Sequence, residues 1–207
     1  MISTNAAAGP TLRIVVLSAG FSARLGTPKA LSRIRGVTLL RRTVRTLAPL
    51  APGKVIVVLP PRAARARAEL RRDRVDVTEN RHRSRGLSAS VRCGLFRARY
   101  SAAVLLLPVD LAWLDRREIE RLIGRWRASR RAVVARRVDA RAGTPLILPR
   151  RLYPEALQIG GDLGLKVLAN GLRGDELKLL DLPSAALDVD TPDDLRRARR
   201  RSRRETP

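Results

Sequence analysis

The sequence predicts an α/β fold, a doubly wound and mostly parallel sheet with helices on both faces. Three observations predict it. Short runs rich in Val, Leu and Ile stand at residues 13–17, 55–59, 104–107 and 132–135, without the polar alternation of a half-exposed strand. Between them the apolar residues fall at helical spacing. Directly after the first run comes a glycine-bearing, cationic loop at 17–29. That is where such a sheet binds ligands, beyond the carboxyl ends of its strands.

The elements follow in order. Residues 1–10 have neither a basic segment nor an apolar core of signal-peptide type, so they read as a disordered lead-in. Residues 11–198 read as one domain, a length that buries a good core. Leu40, Val44 and Leu47 share one helix face. Within residues 80–95, NRHRSRGLSASVRCGL, Gly86 breaks the chain and Ser88 is placed to cap a helix carrying Val91 and Leu95 inward. The run 104–107 ends in Pro108-Val109-Asp110. Asp115 and Glu118 have the spacing of a capping box before Ile119, Leu122, Ile123 and Trp126. Residues 138–174 interrupt the alternation with Gly143, Pro145, Pro149, Pro154, Gly160, Gly161 and Gly164, and read as a subdomain inserted over the site. Within it, Gly143-Thr144-Pro145 opens a strand at 146–148, and Gly160-Gly161-Asp162-Leu163-Gly164 precedes a helix to Ala169. Thr191, Pro192, Asp193 and Asp194 start the last helix, with a cap, Pro at the first position and acids in the first turn. A basic tail, 199–207, closes the chain.

Composition narrows the chemistry. The net charge of +24 is nearly all arginine, with lysine only at Lys29, Lys54, Lys166 and Lys178. Arg spread over all the helices is the mark of a GC-biased genome. Only RRARRRSRR, at 196–204, is a dense run, and such runs are most often solvated helix ends. With aromatics at 3%, base-stacking platforms are scarce, which disfavours nucleic acid as a partner. Cys93 is the only cysteine, so an intrachain disulfide is excluded and a buried, inert thiol is expected. His82 is the only histidine, so sites built from several His or Cys ligands are excluded. Any metal must be a hard ion on oxygen ligands, most simply Mg²⁺. No apolar run has membrane length, and a cytoplasmic enzyme without a membrane partner is expected.

The loop at 17–29 reads LSAGFSARLGTPK. Glycine lets backbone N–H groups close on an anion, and Arg24 and Lys29 add charge suited to polyphosphate. Five residues separate Gly20 from Gly26, and Lys29 follows three later, so this is neither a Walker loop nor a dinucleotide fingerprint. What remains is L-x-x-G-x-S-x-R-x-G-x-x-K, from Leu17 through Ser18, Ala19, Gly20, Ser22, Arg24 and Gly26 to Lys29. It is either a phosphate cradle or a strand–helix turn with chance cations, and its length and place after a strand favour the cradle.

Other residues keep two readings each. Asp110, at a strand's carboxyl end, either holds Mg²⁺ or begins a loop. Asp190, in Asp188-Val189-Asp190, either completes that metal site or sits against a helix dipole. Gly86, Ser88 and Ser90 either meet a base or phosphate or only cap a helix. Asp162 is a contact or an N-cap, and Thr144 a contact or part of a turn.

In motif order, over residues 12–198, the chain resembles the MobA-like nucleotidyltransferases, which share a Rossmann-like nucleotidyltransferase fold. It looks most like the molybdenum cofactor cytidylyltransferases among them. The first loop and Gly86-Leu87-Ser88-Ala89-Ser90-Val91-Arg92 carry the resemblance. The guanylyl branch usually has a second glycine where Ala19 stands, which leans toward CTP. The family usually has Pro two residues after the metal-binding Asp, where this chain has Ala112. The resemblance implies attack of the terminal phosphate of molybdenum-molybdopterin on the α-phosphorus of CTP, releasing pyrophosphate. It implies that Gly20 and its neighbours hold phosphates, and that Arg24 and Lys29 stabilise charge there. It gives Mg²⁺ to Asp110 and Asp190. The base falls to Ser18–Ala19 and to Gly86, Ser88 and Ser90. The pterin falls to residues 138–166, with Thr144 and Asp162 as acceptor contacts. A recipient molybdoenzyme is the implied downstream partner. The alternatives are a related transferase with GTP or another phosphate acceptor, a molybdopterin-binding chaperone, and an Arg-rich binding protein that kept only the fold. Intact Lys29 and Asp110 oppose the last.

Overall fold

The computed structural model describes residues 11–21, 25–51, 53–161 and 165–204, with side chains to 201. A seven-stranded sheet runs through it in the order β5-β4-β1-β6-β8-β7-β9. Its strands are β1 (Leu12–Leu17), β4 (Val55–Leu59), β5 (Asp76–Glu79), β6 (Ala103–Pro108), β7 (Val133–Val138), β8 (Arg141–Pro149) and β9 (Leu177–Leu180). Only β8 runs against the others. A two-stranded ribbon, β2 (Arg33–Ile34) and β3 (Val37–Thr38), stands apart from the sheet.

The helices are α1 (Leu39–Leu47), α2 (Ala64–Leu70), α3 (Leu87–Arg97), α4 (Arg116–Ala128), α5 (Tyr153–Gln158), α6 (Leu165–Gly171) and α7 (Pro192–Arg204). Alternate strand residues point to opposite faces, and this divides the core in two. Ile14, Val16, Val57, Leu105 and Leu107 pack with Leu40, Val44 and Leu47 of α1 and Ile119, Leu122 and Trp126 of α4. Val15, Leu17, Ile56, Val58, Val104 and Leu106 pack with Val91 and Leu95 of α3 and with α5 and α6. At Gly94 the second layer is closest: an added Cβ would stand 2.5 Å from Val15 Cγ1. Gly94→Ala must therefore push α3 off a fully buried strand. It should cost about 1–3 kcal/mol, a fall in Tm of roughly 3–10 °C for a chain of this size, read by thermal unfolding.

Several expectations change in detail. The four apolar runs are strands of the main sheet, the fourth continuing three residues further to Val138, and the run at 146–148 lies inside the longer β8, which begins at Arg141. The segment 138–174 does not stand over the sheet as a separate layer. Its strand β8 lies between β6 and β7, and α5 and α6 cover the second core. Of the Gly and Pro residues there, Gly143, Pro145 and Pro149 lie within β8 and Pro154 in the first turn of α5. Asp115 caps α4, accepting from Arg117 N–H at 2.7 Å. Glu118 does not close the box directly. Ser184 stands between, accepting from Asp115 N–H at 3.0 Å and donating to the Glu118 carboxylate at 2.5 Å. The cap of α3 is Gly86, at φ +83°, rather than Ser88. The basic tail continues α7 to Arg204. Ala198 is buried against Ile34, Leu39, Ala112 and Val189, and Arg201 lies 5.3 Å from the Trp113 ring centroid. The lead-in, residues 1–10, lies outside the described residues. Among the described residues no helix is long and apolar enough to cross a membrane.

Candidate active site

The strand order reverses beside β1, with β4 and β5 on one side and β6 on the other. A crevice opens at such a switch point, at the carboxyl ends of the strands. Here it is a cleft of about 1280 Å³. The loop leaving β1 enters it pinned on both sides. Ser18 N–H bonds to the Val58 carbonyl at 2.9 Å, and Val109 N–H bonds to the Leu17 carbonyl at 3.1 Å. Leu17, Ser18, Ala19, Gly20, Gly26 and Lys29 line one wall, Gly86 and Ser90 another, and Asp110 the end by β6. Residues from two segments, 17–29 and 86–90, thus meet with Asp110 at the place the parallel sheet makes available.

Lys29 is the electrostatic centre. Its ammonium donates to Asp110 Oδ2 at 2.9 Å and to Asp190 Oδ1. Burial alone would lower its pKa, but the Asp110 charge and the bonds to Asp190 and Asp110 outweigh it and raise the pKa. Lys29 therefore stays charged through the neutral range. Asp190 reaches this point because its segment is tied down twice. Val189 N–H bonds to the Asp110 carbonyl at 3.0 Å, and Leu111 bridges Asp188. Beyond it, Asp194 accepts from Thr191 N–H at 2.8 Å, from Thr191 Oγ1 at 2.7 Å and from Asp190 N–H at 3.1 Å. The Thr191 bonds come first in holding the Asp194 carboxyl down at about 2. Asp188 moves the other way: burial first, then the neighbouring Asp110 charge, raises its pKa. With Ala112 in place of the expected Pro, the loop after Asp110 still closes, Leu114 N–H bonding to the Leu111 carbonyl at 3.4 Å.

Asp110 Oδ1 is buried and has no hydrogen-bond partner among the described residues. A carboxylate oxygen desolvated without a partner is costly, and a cation would satisfy it. Among the described residues no cluster of three or more His, Cys, Asp or Glu is arranged for a metal. Asp110 and Asp190 are thus a two-carboxylate set of the kind that holds Mg²⁺ together with substrate phosphates and water. The residues fit such an ion.

Other sequence-predicted residues fall differently. Ser88 does not line the cleft. Its hydroxyl donates to the Arg85 carbonyl at 3.4 Å and accepts from Arg92 at 3.4 Å, and its N–H is taken by the Gly161 carbonyl at 3.1 Å. Ser22, Arg24 and Asp162 lie outside the described residues. Thr144 is on β8, two residues before Leu146, which pairs with Leu106, so it stands near the carboxyl end of β6 rather than in the cleft wall. Cys93 is half-buried and donates weakly to the Glu79 carbonyl at 3.7 Å, and burial raises its pKa, as suits an inert thiol.

The cleft also holds residues that motif reasoning passed over. Phe21 is 59% exposed, and the Arg83 guanidinium lies 4.1 Å from its ring centroid, which joins the two loops across the cleft. Arg62, in a left-handed conformation, and Arg65 line the wall after β4. In so Arg-rich a chain their signal was hidden. An aromatic directly after Gly20 was visible.

Several named proteins are similar to this chain. A protein of Rhodopirellula baltica named probable molybdenum cofactor guanylyltransferase is 31% identical over 198 residues, 91% of this chain and 92% of that protein. Phosphoenolpyruvate guanylyltransferase of Rubrobacter xylanophilus is 31% identical over 185 residues, 86% of this chain and 87% of that protein. Among solved structures, the manganese complex of Rv0371c from Mycobacterium tuberculosis has a TM-score of 0.72 at 26% identity, covering 91% of this chain and 98% of that one. Residues 14–177 match the MobA-like NTP transferase domain, and the chain belongs to that family of nucleotidyltransferases.

Proposed function

We propose that this enzyme transfers CMP from CTP to the terminal phosphate of a molybdopterin-type acceptor and releases pyrophosphate. The observation that carries the reading is the convergence of the loop after β1, the start of α3 and Asp110 on one cleft, with Lys29 held between Asp110 and Asp190. An oxygen of the acceptor phosphate attacks the α-phosphorus, and the bond from that phosphorus to the pyrophosphate oxygen breaks. No covalent nucleophile is needed, so alignment and charge neutralisation do the catalysis. Gly20 and Gly26 let backbone N–H groups approach the phosphates. Lys29 and Arg24 stabilise charge on the α-phosphate and the leaving pyrophosphate. Asp110 and Asp190 are the residues that would hold a divalent cation, Mg²⁺ in this proposal, and a bound cation supplies neutralisation of phosphate charge. Thr144, near the carboxyl end of β6, and Asp162 are the acceptor contacts in this proposal, with the downstream partner a molybdoenzyme.

The preference for cytosine rests on the resemblance at Ala19 and in the segment 86–92. Ala19 lines the cleft but is buried and packs in the second core, so its methyl is not itself the barrier to a purine. A second reading, GTP as donor, is favoured by one observation: both curated relatives above are named guanylyltransferases. Equal CTP and GTP, supplied together with the acceptor, separate the two. The cytosine dinucleotide should form at least ten times faster, since a clash on the wrong base costs ~1–3 kcal/mol. Equal or greater guanine product would give the enzyme to the second reading.

A further inference from the structure

We infer that Asn80 is a positioning residue for base choice: it occupies one lone pair of the Ser90 hydroxyl, biases that hydroxyl to offer its proton to the cleft, and so favours a base edge that offers acceptors. The inference rests on the reading above that the wall at Gly86–Ser90 meets the base. Asn80 follows β5, is wholly buried, and is itself held by its N–H on the Leu59 carbonyl at 2.9 Å. A side-chain amide can be turned either way, and its neighbours decide which. The backbone N–H of His82 lies 2.9 Å from the Asn80 side-chain oxygen. A backbone N–H only donates, so that atom must be the oxygen. The amide NH₂ therefore faces Ser90 Oγ, at 2.9 Å. An NH₂ also only donates, so Ser90 Oγ accepts. The hydroxyl proton is then left over, and among the described residues nothing accepts it. Ser90 lines the cleft next to Gly86 and Leu87, so a ligand is what the proton can meet.

The polarity matters because base edges differ. Cytosine presents two adjacent acceptors, O2 and N3. The matching positions of guanine, N1–H and N2–H₂, are donors, so there the Ser90 proton must turn away and the hydroxyl accept on its second lone pair. Only O6 on that edge could take the proton, so the polarity set by Asn80 favours cytosine. His82 N–H, Asn80 and Ser90 thus form a relay that passes the direction of one backbone group to the cleft wall. The sequence shows only an Asn before an Arg-rich turn. The relay becomes visible when β5 and α3 are brought together.

The test measures dissociation constants of CTP and GTP, each with Mg²⁺ and without acceptor, so that binding occurs without transfer. The proteins are wild type, Asn80→Ala, Ser90→Ala, the double variant and Ser90→Thr. Removing either partner strands the other in a buried place and lowers Tm, so the readout is the CTP-to-GTP affinity ratio, which general loosening would leave alone. Without its amide anchor, the Ser90 hydroxyl is released to turn to a helix carbonyl. Each alanine variant should shrink the ratio roughly tenfold. The double variant should match Ser90→Ala, and Ser90→Thr should keep the wild-type ratio. A wild type that prefers CTP, with the ratio unchanged in Asn80→Ala, overturns the relay and leaves the cytidylyl reading standing. A wild type that prefers GTP, or neither, overturns that reading and the relay with it.

Discussion

Lys29→Ala is expected to lower turnover by about 10²–10³-fold, the usual loss when a charged donor to the reacting centre is removed. Lys29 is the cation of the described cleft nearest both carboxylates, and its raised pKa keeps it protonated over the working range. The variant also leaves Asp110, Asp190 and Asp188 without the positive charge they surround. Repulsion among them should lower the Tm of the metal-free protein, by an amount worth about 1 kcal/mol after solvent screening at Asp190, which is a third exposed. Added Mg²⁺ or Mn²⁺ should then raise the Tm of Lys29→Ala more than that of wild type. Steady-state kinetics and thermal unfolding with and without the ion check both parts. Wild-type turnover in folded Lys29→Ala would remove Lys29 from the site.

Asp110→Asn should weaken binding of a divalent cation at least tenfold and cut transfer by about 10²-fold at fixed Mg²⁺, since a bound cation contributes several kcal/mol of charge stabilisation. The amide keeps the shape but not the charge a hard cation needs. The fold should hold, because Val189 N–H is bonded to the backbone carbonyl of residue 110 and not to its side chain. Lys29 would keep its bond to Asp190. Binding of Mn²⁺, followed by paramagnetic resonance without nucleotide, reads the first effect independently of activity. An unchanged Mn²⁺ titration would place the cation elsewhere.

The parallel core was legible because its strands are continuous apolar runs, and Val55–Leu59 fell within the expected bounds. Four-residue β5 and β9 were not, since Asp76, Glu79 and Lys178 break any run, and their partners β4 and β7 come from elsewhere in the chain. The site was legible where chemistry is concentrated in one loop: residues 17–20, Gly26 and Lys29 line the cleft, and Asp110 does as well. It was illegible where a residue's direction depends on packing. Ser88 and Ser90 sit two residues apart on α3 and so face differently: one turns to Arg85 and Arg92, the other to Asn80 and the cleft. The pairing of Lys29 with Asp190 spans most of the chain and depends on Val189 docking on Asp110, which no local pattern records.

The most direct measurement follows CTP labelled at its α-phosphate, incubated with the enzyme, Mg²⁺ and molybdenum-molybdopterin. The label should appear in a cytosine dinucleotide, one pyrophosphate should be released for each, and neither should form without the acceptor. Orthophosphate in place of pyrophosphate, or pyrophosphate released at the same rate without acceptor, would contradict nucleotidyl transfer to that phosphate at this cleft.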